Sequence, residues 1–288
     1  MSIINEACGS TATTVKNIGA RVQCFEGLLK TGWLAKETFS FASVAEAKTR
    51  AAAITAISGK NLGVLPYVAD IQPANTEPTF KDTLYNGKYE LTKAIVGDTI
   101  RIDTSVCTQE ALKTYAKAGY SRMFQLTDSN ELLCDVQADG TVKGRRMSSF
   151  LVGLRNGRTT GDLPFTNLTI NYEDESFSVL KTDSDLTELE GILDVVIKEV
   201  SASTTSVKFT VETDCGGSLV TNLTSSDVTF LDSSGDPQAG TFVVADGDGV
   251  YEYTGTGFES NSTISLDGVV VQGEVYYESP TPLTITVV

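Results

Sequence analysis

A chain of 288 residues with 41% hydrophobic and 20% charged residues carries enough apolar material for a packed core and too little charge to stay disordered by self-repulsion. At this length two domains are expected. The formal net charge is −15, and the complete absence of histidine removes the commonest general base, the Ser-His-Asp arrangement and most zinc sites together.

The charge is unevenly placed. Residues 199–288 hold thirteen Asp and Glu against a single Lys208, which is −12, so residues 1–198 carry only −3. A stretch that acidic repels nucleic acid, whose affinity comes from cations neutralising phosphates, and it keeps a densely repeated protein soluble. The opening "MSIINEACGS" has neither a basic nor an apolar leader region, and no apolar run reaches the ~20 residues of a membrane helix. No membrane partner is therefore expected, and the chain is expected to be made and kept in a cytosol. Five cysteines (Cys8, Cys24, Cys107, Cys134, Cys215) at wide spacings, with no C-x-x-C pair, predict reduced and mostly buried thiols.

Taken in chain order, residues 15–34 mix apolar and polar positions in short runs broken by Gly, the habit of strands and turns. A helix is predicted over 43–58: Ser43 and Glu46 form a capping box before an Ala-rich run, which Ser58-Gly59 closes. "VLPYVADIQPANTEPTF", with three prolines and no period, reads as a meandering connection. Asn86-Gly87 between strand formers signals a tight hairpin, and "TIRIDTSV" alternates as a strand does. A second helix is predicted over 108–118, capped by Thr108 and ended by Gly119, with Leu112 and Tyr115 on one face beside Ala111 and Ala118. Two hairpin turns follow, at Asp128-Ser129-Asn130 and at Asp139-Gly140. "LPFTNLTINYED" is one more strand, and "ILDVVIKEV" a buried one leading out of the first domain.

Beyond Val200 the texture changes. Strand-like runs recur about every ten residues, separated by Gly, Asp, Ser and Asn, and helix signals vanish. Six or seven short strands suit an immunoglobulin-like β-sandwich, and the lack of a Cys–Trp–Cys core excludes only the antibody type. The predicted fold class is mostly β: a β-sandwich or barrel with one or two flanking helices over 1–198, then an immunoglobulin-like β-sandwich over 199–288.

One segment stands out chemically. "KGRRMSSFLVGLRNGR" packs Lys143, Arg145, Arg146, Arg155 and Arg158 into sixteen residues and holds four of the eight arginines. Its cations could pair with neighbouring carboxylates on a solvated surface, meet the carboxylates of another copy, or grip nucleic acid. For the last, only Phe150 offers a stacking ring. Elsewhere the chemistry is thin. No phosphate-binding glycine loop appears, and no metal-ligand spacing. Asp246, Asp248 and Glu252 in "GDGVYE" lack the calcium-loop schedule and read as a hairpin turn. Glu173-Asp174 reads as solvated surface. No enzyme, cofactor or metal is expected.

The order "ACGS…VQCFEGLL", "EPTFKDTLYNGKYEL", a helix, "LLCDVQADGTVKGRRMS" and a closing module beginning "VVIKEVSASTTSVKFTVETDCGGSLVTNL" resembles virion structural proteins of tailed bacteriophages, and most of all tail tube proteins. The resemblance spans nearly the whole chain through turn and strand patterns without an invariant site. It implies a sandwich or small barrel with a flanking helix and long loops, six copies of which join into rings that stack into a tube. It also implies an outer immunoglobulin-like domain, location in the virion tail after assembly in the host cytoplasm, contacts with other tail or head proteins, and DNA only in transit through the lumen. The helix over 43–58 departs from that pattern, which has an extended loop there. Under this resemblance Lys143, Arg145, Arg146, Arg155 and Arg158 would meet carboxylates of a neighbouring subunit or ring. A head decoration or capsid-associated protein and a carbohydrate-binding adhesin are the alternatives.

Overall fold

The computed structural model describes residues 27–83, 87–174, 176–246, 249–273 and 275–287, with the short segments 4–5 and 10–11. Among them the chain is mostly β with three helices, and it divides into two compact units, Met1–Leu189 and Glu190–Val288. The expected border at Glu199 thus falls inside a strand of the second unit. A strand written as an exit from one domain is equally an entry to the next, and only its partners decide.

The first unit contains β1 (Ile4–Asn5), β2 (Ser10–Thr11), β3 (Leu29–Lys36), α1 (Val44–Ala47), α2 (Arg50–Ser58), β4 (Leu62–Val64), β5 (Val68–Pro73), β6 (Thr79–Thr83), β7 (Gly87–Thr92) and β8 (Val96–Asp103). After them come α3 (Val106–Lys117), β9 (Tyr120–Thr127), β10 (Glu131–Val136), β11 (Val142–Lys143), β12 (Arg145–Val152), β13 (Phe165–Tyr172) and β14 (Ser178–Lys181). One branched sheet runs β2-β1-β14-β10-β9-β12-β13-β8-β5, with β3 and β4 joined through β9, and β11 through β10. β9 lies at the branch: β3 pairs along one edge, while β10 and β12 share the other.

Side-chain alternation sends neighbouring residues of β3 and β9 to opposite faces, and both faces are covered. Leu34 and Met123 join Ile100, Leu112, Leu168 and Ile170 in one core, against which Tyr115 of α3 packs. Trp33 meets Phe124 edge-on at 6.2 Å, and Phe41 meets the same ring at 5.6 Å.

The predicted helices are corrected in detail. The 43–58 stretch forms two: Ser43 Oγ accepts from the Glu46 amide and caps α1, and the chain then breaks at Lys48 before Thr49 starts α2. Thr49 causes the break, because its hydroxyl and its amide both donate to the Glu46 carbonyl and so offer the backbone an alternative to continued helix. The later helix begins at Val106 because Ser105 Oγ, and not Thr108, supplies the cap, accepting from the Thr108 amide at 3.1 Å. Its buried residues are Gln109 and Leu112, while Ala111 and Ala118 are exposed. The turns at 128–130 and 139–140 stand where expected, with Asn130 and Gly140 at φ +56° and +87°.

The Pro-containing connection is also more regular than expected. β5 pairs with β8, and the ribbon continues past the rest of the sheet through the Thr76–Ile95 bridge into β6 and β7, which pair with no other strand among the described residues. The turn at Asn86 lies outside the described residues. Pro73 is tolerated at the end of β5 because β5 is an edge strand, and Pro66 and Pro78 lie outside the strands.

The second unit contains β15 (Ile192–Ala202), β16 (Ser206–Thr213), β17 (Val228–Leu231), β18 (Gly240–Asp246), β19 (Val250–Gly255), β20 (Thr263–Leu266), β21 (Val270–Gln272), β22 (Val275–Glu278) and β23 (Leu283–Thr284). Two sheets, β18-β19-β16-β15-β22-β21 and β17-β20-β23, share one core that includes Val207, Phe209, Val211, Phe230, Tyr251 and Ile264. "ILDVVIKEV" is not buried throughout: in β15 only Val195 and Ile197 are buried. The Tyr251 hydroxyl donates to the Val220 carbonyl at 2.6 Å and accepts from the Leu223 amide at 3.1 Å, fastening the 214–224 loop to β19.

The cysteines depart from expectation. Cys107 and Cys215 each take part in a disulfide, while Cys134 is buried in β10. A wide spacing in sequence places no bound on distance in space, and a disulfide needs only Cα atoms ~4.4 to 6.8 Å apart. Cys8 and Cys24 lie outside the described residues, as does Asp248; β18 and β19 pair as a hairpin across that position.

Candidate assembly interface

The basic segment does not form one surface. β12 separates its two ends by about 23 Å, seven strand steps, so Arg145 and Arg146 stand at one end and Arg155 and Arg158 beyond the other.

Arg145 faces inward and is only 6% exposed. Its guanidinium carbon sits 3.7 Å from the ring centre of Tyr172 and 4.8 Å from that of Phe177, a slot between two aromatic faces. Nη1 donates to Gln125 Oε1 at 2.9 Å, and Gln125 Nε2 donates in turn to Asp98 Oδ2 at 3.1 Å. The charge of Asp98 thus reaches Arg145 through an amide, and Nε has no hydrogen-bond partner. Burial pushes the Arg145 guanidinium down from its ordinary pKa, against the opposing pull of Tyr172 and Asp98. The Tyr172 phenol is pushed well above its usual range, first by burial and then by Asp98. A small cleft lined by Asp135, Arg145, Arg146, Asp174 and Ser176 opens here, with about 20 Å³ of room, enough for one water.

Arg146, one residue on, points the other way and is exposed. Its Nη1 lies 3.1 Å from Glu173, and its Nε 3.7 Å from Glu37. Glu37 is the hub. Arg122 grips it with Nη2 at 2.9 Å and Nε at 3.2 Å, and Ser121 Oγ donates at 2.7 Å. Arg122 Nη1 also donates to the Gly144 carbonyl at 3.0 Å. Gly144 is required there, since a Cβ would sit 2.9 Å from the Met123 backbone. The Arg122 hydrogen bonds hold the Glu37 carboxyl below its usual pKa.

Lys143 is half-buried on β11, where its charge acts on Asp139. Arg155 is half-buried with its Nε unpartnered, and Arg158 is exposed; neither has an ion-pair partner among the described residues. Both lie in the loop after β12, whose arms are joined at Gly153–Asn167 and Asn156–Phe165.

The expected set of five thus separates by role. Arg145 is spent in the interior, Arg146 is paired within the unit, and Lys143, Arg155 and Arg158 carry charge that no ion pair among the described residues takes up. Arg122, Glu37, Gln125 and Asp98 were not singled out from sequence. They are single polar residues in apolar strands or turns, and nothing local marks them. Among the described residues, no group of three His, Cys, Asp or Glu could hold a metal, and no helix is long and apolar enough to cross a membrane. No protein family, curated protein or solved structure matches this chain.

Proposed function

We propose that the protein is a self-assembling structural component of a tailed-bacteriophage virion, a tail tube protein whose rings stack into a conduit for DNA. The observation that carries this reading is the arm formed by β6 and β7. From Ala74 to Thr83 it extends about 30 Å, and a two-stranded ribbon with no further partner is only marginally stable in water. It leaves Phe80 53% exposed and adds none of its described side chains to either buried cluster. An arm of this kind gains its stability from a surface it docks on, and in a homo-oligomer that surface belongs to another copy.

Two further features support the reading. A mostly β first unit with Leu112 and Tyr115 of α3 packed into its core supports the sandwich-or-barrel arrangement with a flanking helix that the resemblance implies. In the second unit, setting aside the β21–β22 hairpin, the orders β18-β19-β16-β15 and β17-β20-β23 follow the D-E-B-A and C-F-G pattern, which supports reading that unit as immunoglobulin-like. DNA would pass as cargo through a neutral or negative lumen, because a cationic lining would hold its phosphates.

The test is negative-stain electron microscopy of purified protein across a salt series, beside a variant in which residues 77–94 are replaced by a short turn. Rings or tubes are expected from the intact chain, loosening as salt rises, and a folded monomer from the shortened one. Persistent monomers of the intact chain at high concentration would overturn the reading, and so would unimpaired assembly without the arm. Decoration of a pre-existing head lattice by such monomers would favour the capsid-associated alternative.

A further inference from the structure

The loop between β12 and β13 combines two features that nothing among the described residues of its own unit uses. It carries Arg155 and Arg158 without ion-pair partners among the described residues, and it exposes Leu154 to 88%, with Leu151 and Leu163 also exposed at its ends. An isolated exposed leucine needs no explanation, but Leu154 and Leu163 on the loop and Leu151 near the end of β12, with Arg155 and Arg158 between Leu154 and Leu163, make an apolar and cationic surface.

The charge of the chain states what fits it. Residues 190–288 hold fifteen Asp and Glu against two lysines, a net −13, whereas residues 1–189 carry −2. Both of those lysines are already engaged on one sheet face, Lys198 with Glu212 at 2.6 Å and Lys208 with Glu252 at 3.7 Å. The second unit therefore presents an almost uncompensated negative field. It also presents apolar surface on its edge strand β18, where Val243 and Val244 are each 47% exposed and no charge stands between Gln238 and Ala245.

We infer that the 153–164 loop of one copy docks on the acidic second unit of another, Arg155 and Arg158 meeting its carboxylates and Leu154 its apolar edge. This rests on the self-assembly reading above and names the contact within it. The contact is heterologous, joining unlike surfaces, so each copy offers one of each and the chain of contacts closes into a ring or continues as a polymer. Arginine suits it because a planar fork binds carboxylates with two bonds.

The experiment places the photo-crosslinker p-benzoylphenylalanine at position 154 of the full chain, assembles a mixture of ¹⁴N- and ¹⁵N-labelled copies at low salt, and identifies mixed-isotope cross-linked peptides. Cross-links to residues 190–288 of a differently labelled copy are expected. In parallel, Arg155→Glu with Arg158→Glu should raise the critical concentration for assembly about tenfold or more, with thermal unfolding unchanged. Assembly with cross-links only to residues 1–189 or within one copy, or assembly indifferent to the double reversal, would overturn the inference and leave self-assembly standing. No assembly at any concentration would remove both.

Discussion

The two units solve the same problem, a mostly β core, with different interiors. Among the described residues the first buries twelve polar or charged side chains, including Arg122, Gln125, Glu131 and Arg145, and the second buries Ser262 alone. The difference exceeds what their sizes account for. The second unit excludes its abundant charge from a core of packed rings, in which Phe209, Phe242 and Tyr251 meet at 5.3 to 6.3 Å between centres. The first draws charge inward and neutralises it through specific partners, so its stability depends on geometry and on pH as well as on buried area.

The largest expected effect tests the apolar side of that contrast. Phe209→Ala removes a fully buried ring at the centre of the second core and should cost about 4 kcal/mol, read by denaturant titration as the second unit unfolding early while the first keeps its transition. A single shifted transition for both units would show that they do not unfold independently.

The next sharpens the polar side. Arg145→Ala leaves Gln125 without its donor and an empty slot between Tyr172 and Phe177, and should cost about 3 kcal/mol. Arg145→Met fills the same slot with a side chain that packs well on rings and removes the buried cation, so the loss should be about 1 kcal/mol. Equal stability for Arg145→Ala and the parent chain, with assembly lost, would return Arg145 to a role at an interface.

The smallest concerns pH. Glu37 has its folded pKa below the ordinary 4.5, chiefly through its hydrogen bonds from Arg122. Its contribution is therefore fully present above about pH 4.5 and is lost as pH falls through the lower folded value. Glu37→Gln should lower first-unit stability by about 0.5 to 1 kcal/mol at pH 7, since the carboxylate is half exposed, and should flatten the decline between pH 5 and 3. A decline unaltered by the substitution would assign the acid response to other carboxylates.

Much of the backbone was legible in the sequence, because turns and caps are local physics. Asn130 and Gly140 adopt positive φ where few other residues could, Ser43 caps where its hydroxyl reaches the third amide, and strand-forming runs separated by Gly and Asp become the strands of the second unit. Composition alone placed the acidity in the last third. The tertiary structure decided the fate of the arginines. Alternation along β12 states that Arg145 and Arg146 point to opposite faces, but which face is interior depends on Tyr172, Phe177 and Gln125, brought from twenty or more residues away by pairing with β9 and β13. For the same reason a cluster of cations in sixteen residues of sequence became a buried strut, a surface pair and an uncommitted loop. Charge is a property of the residue, whereas its availability is a property of the neighbours that the fold supplies.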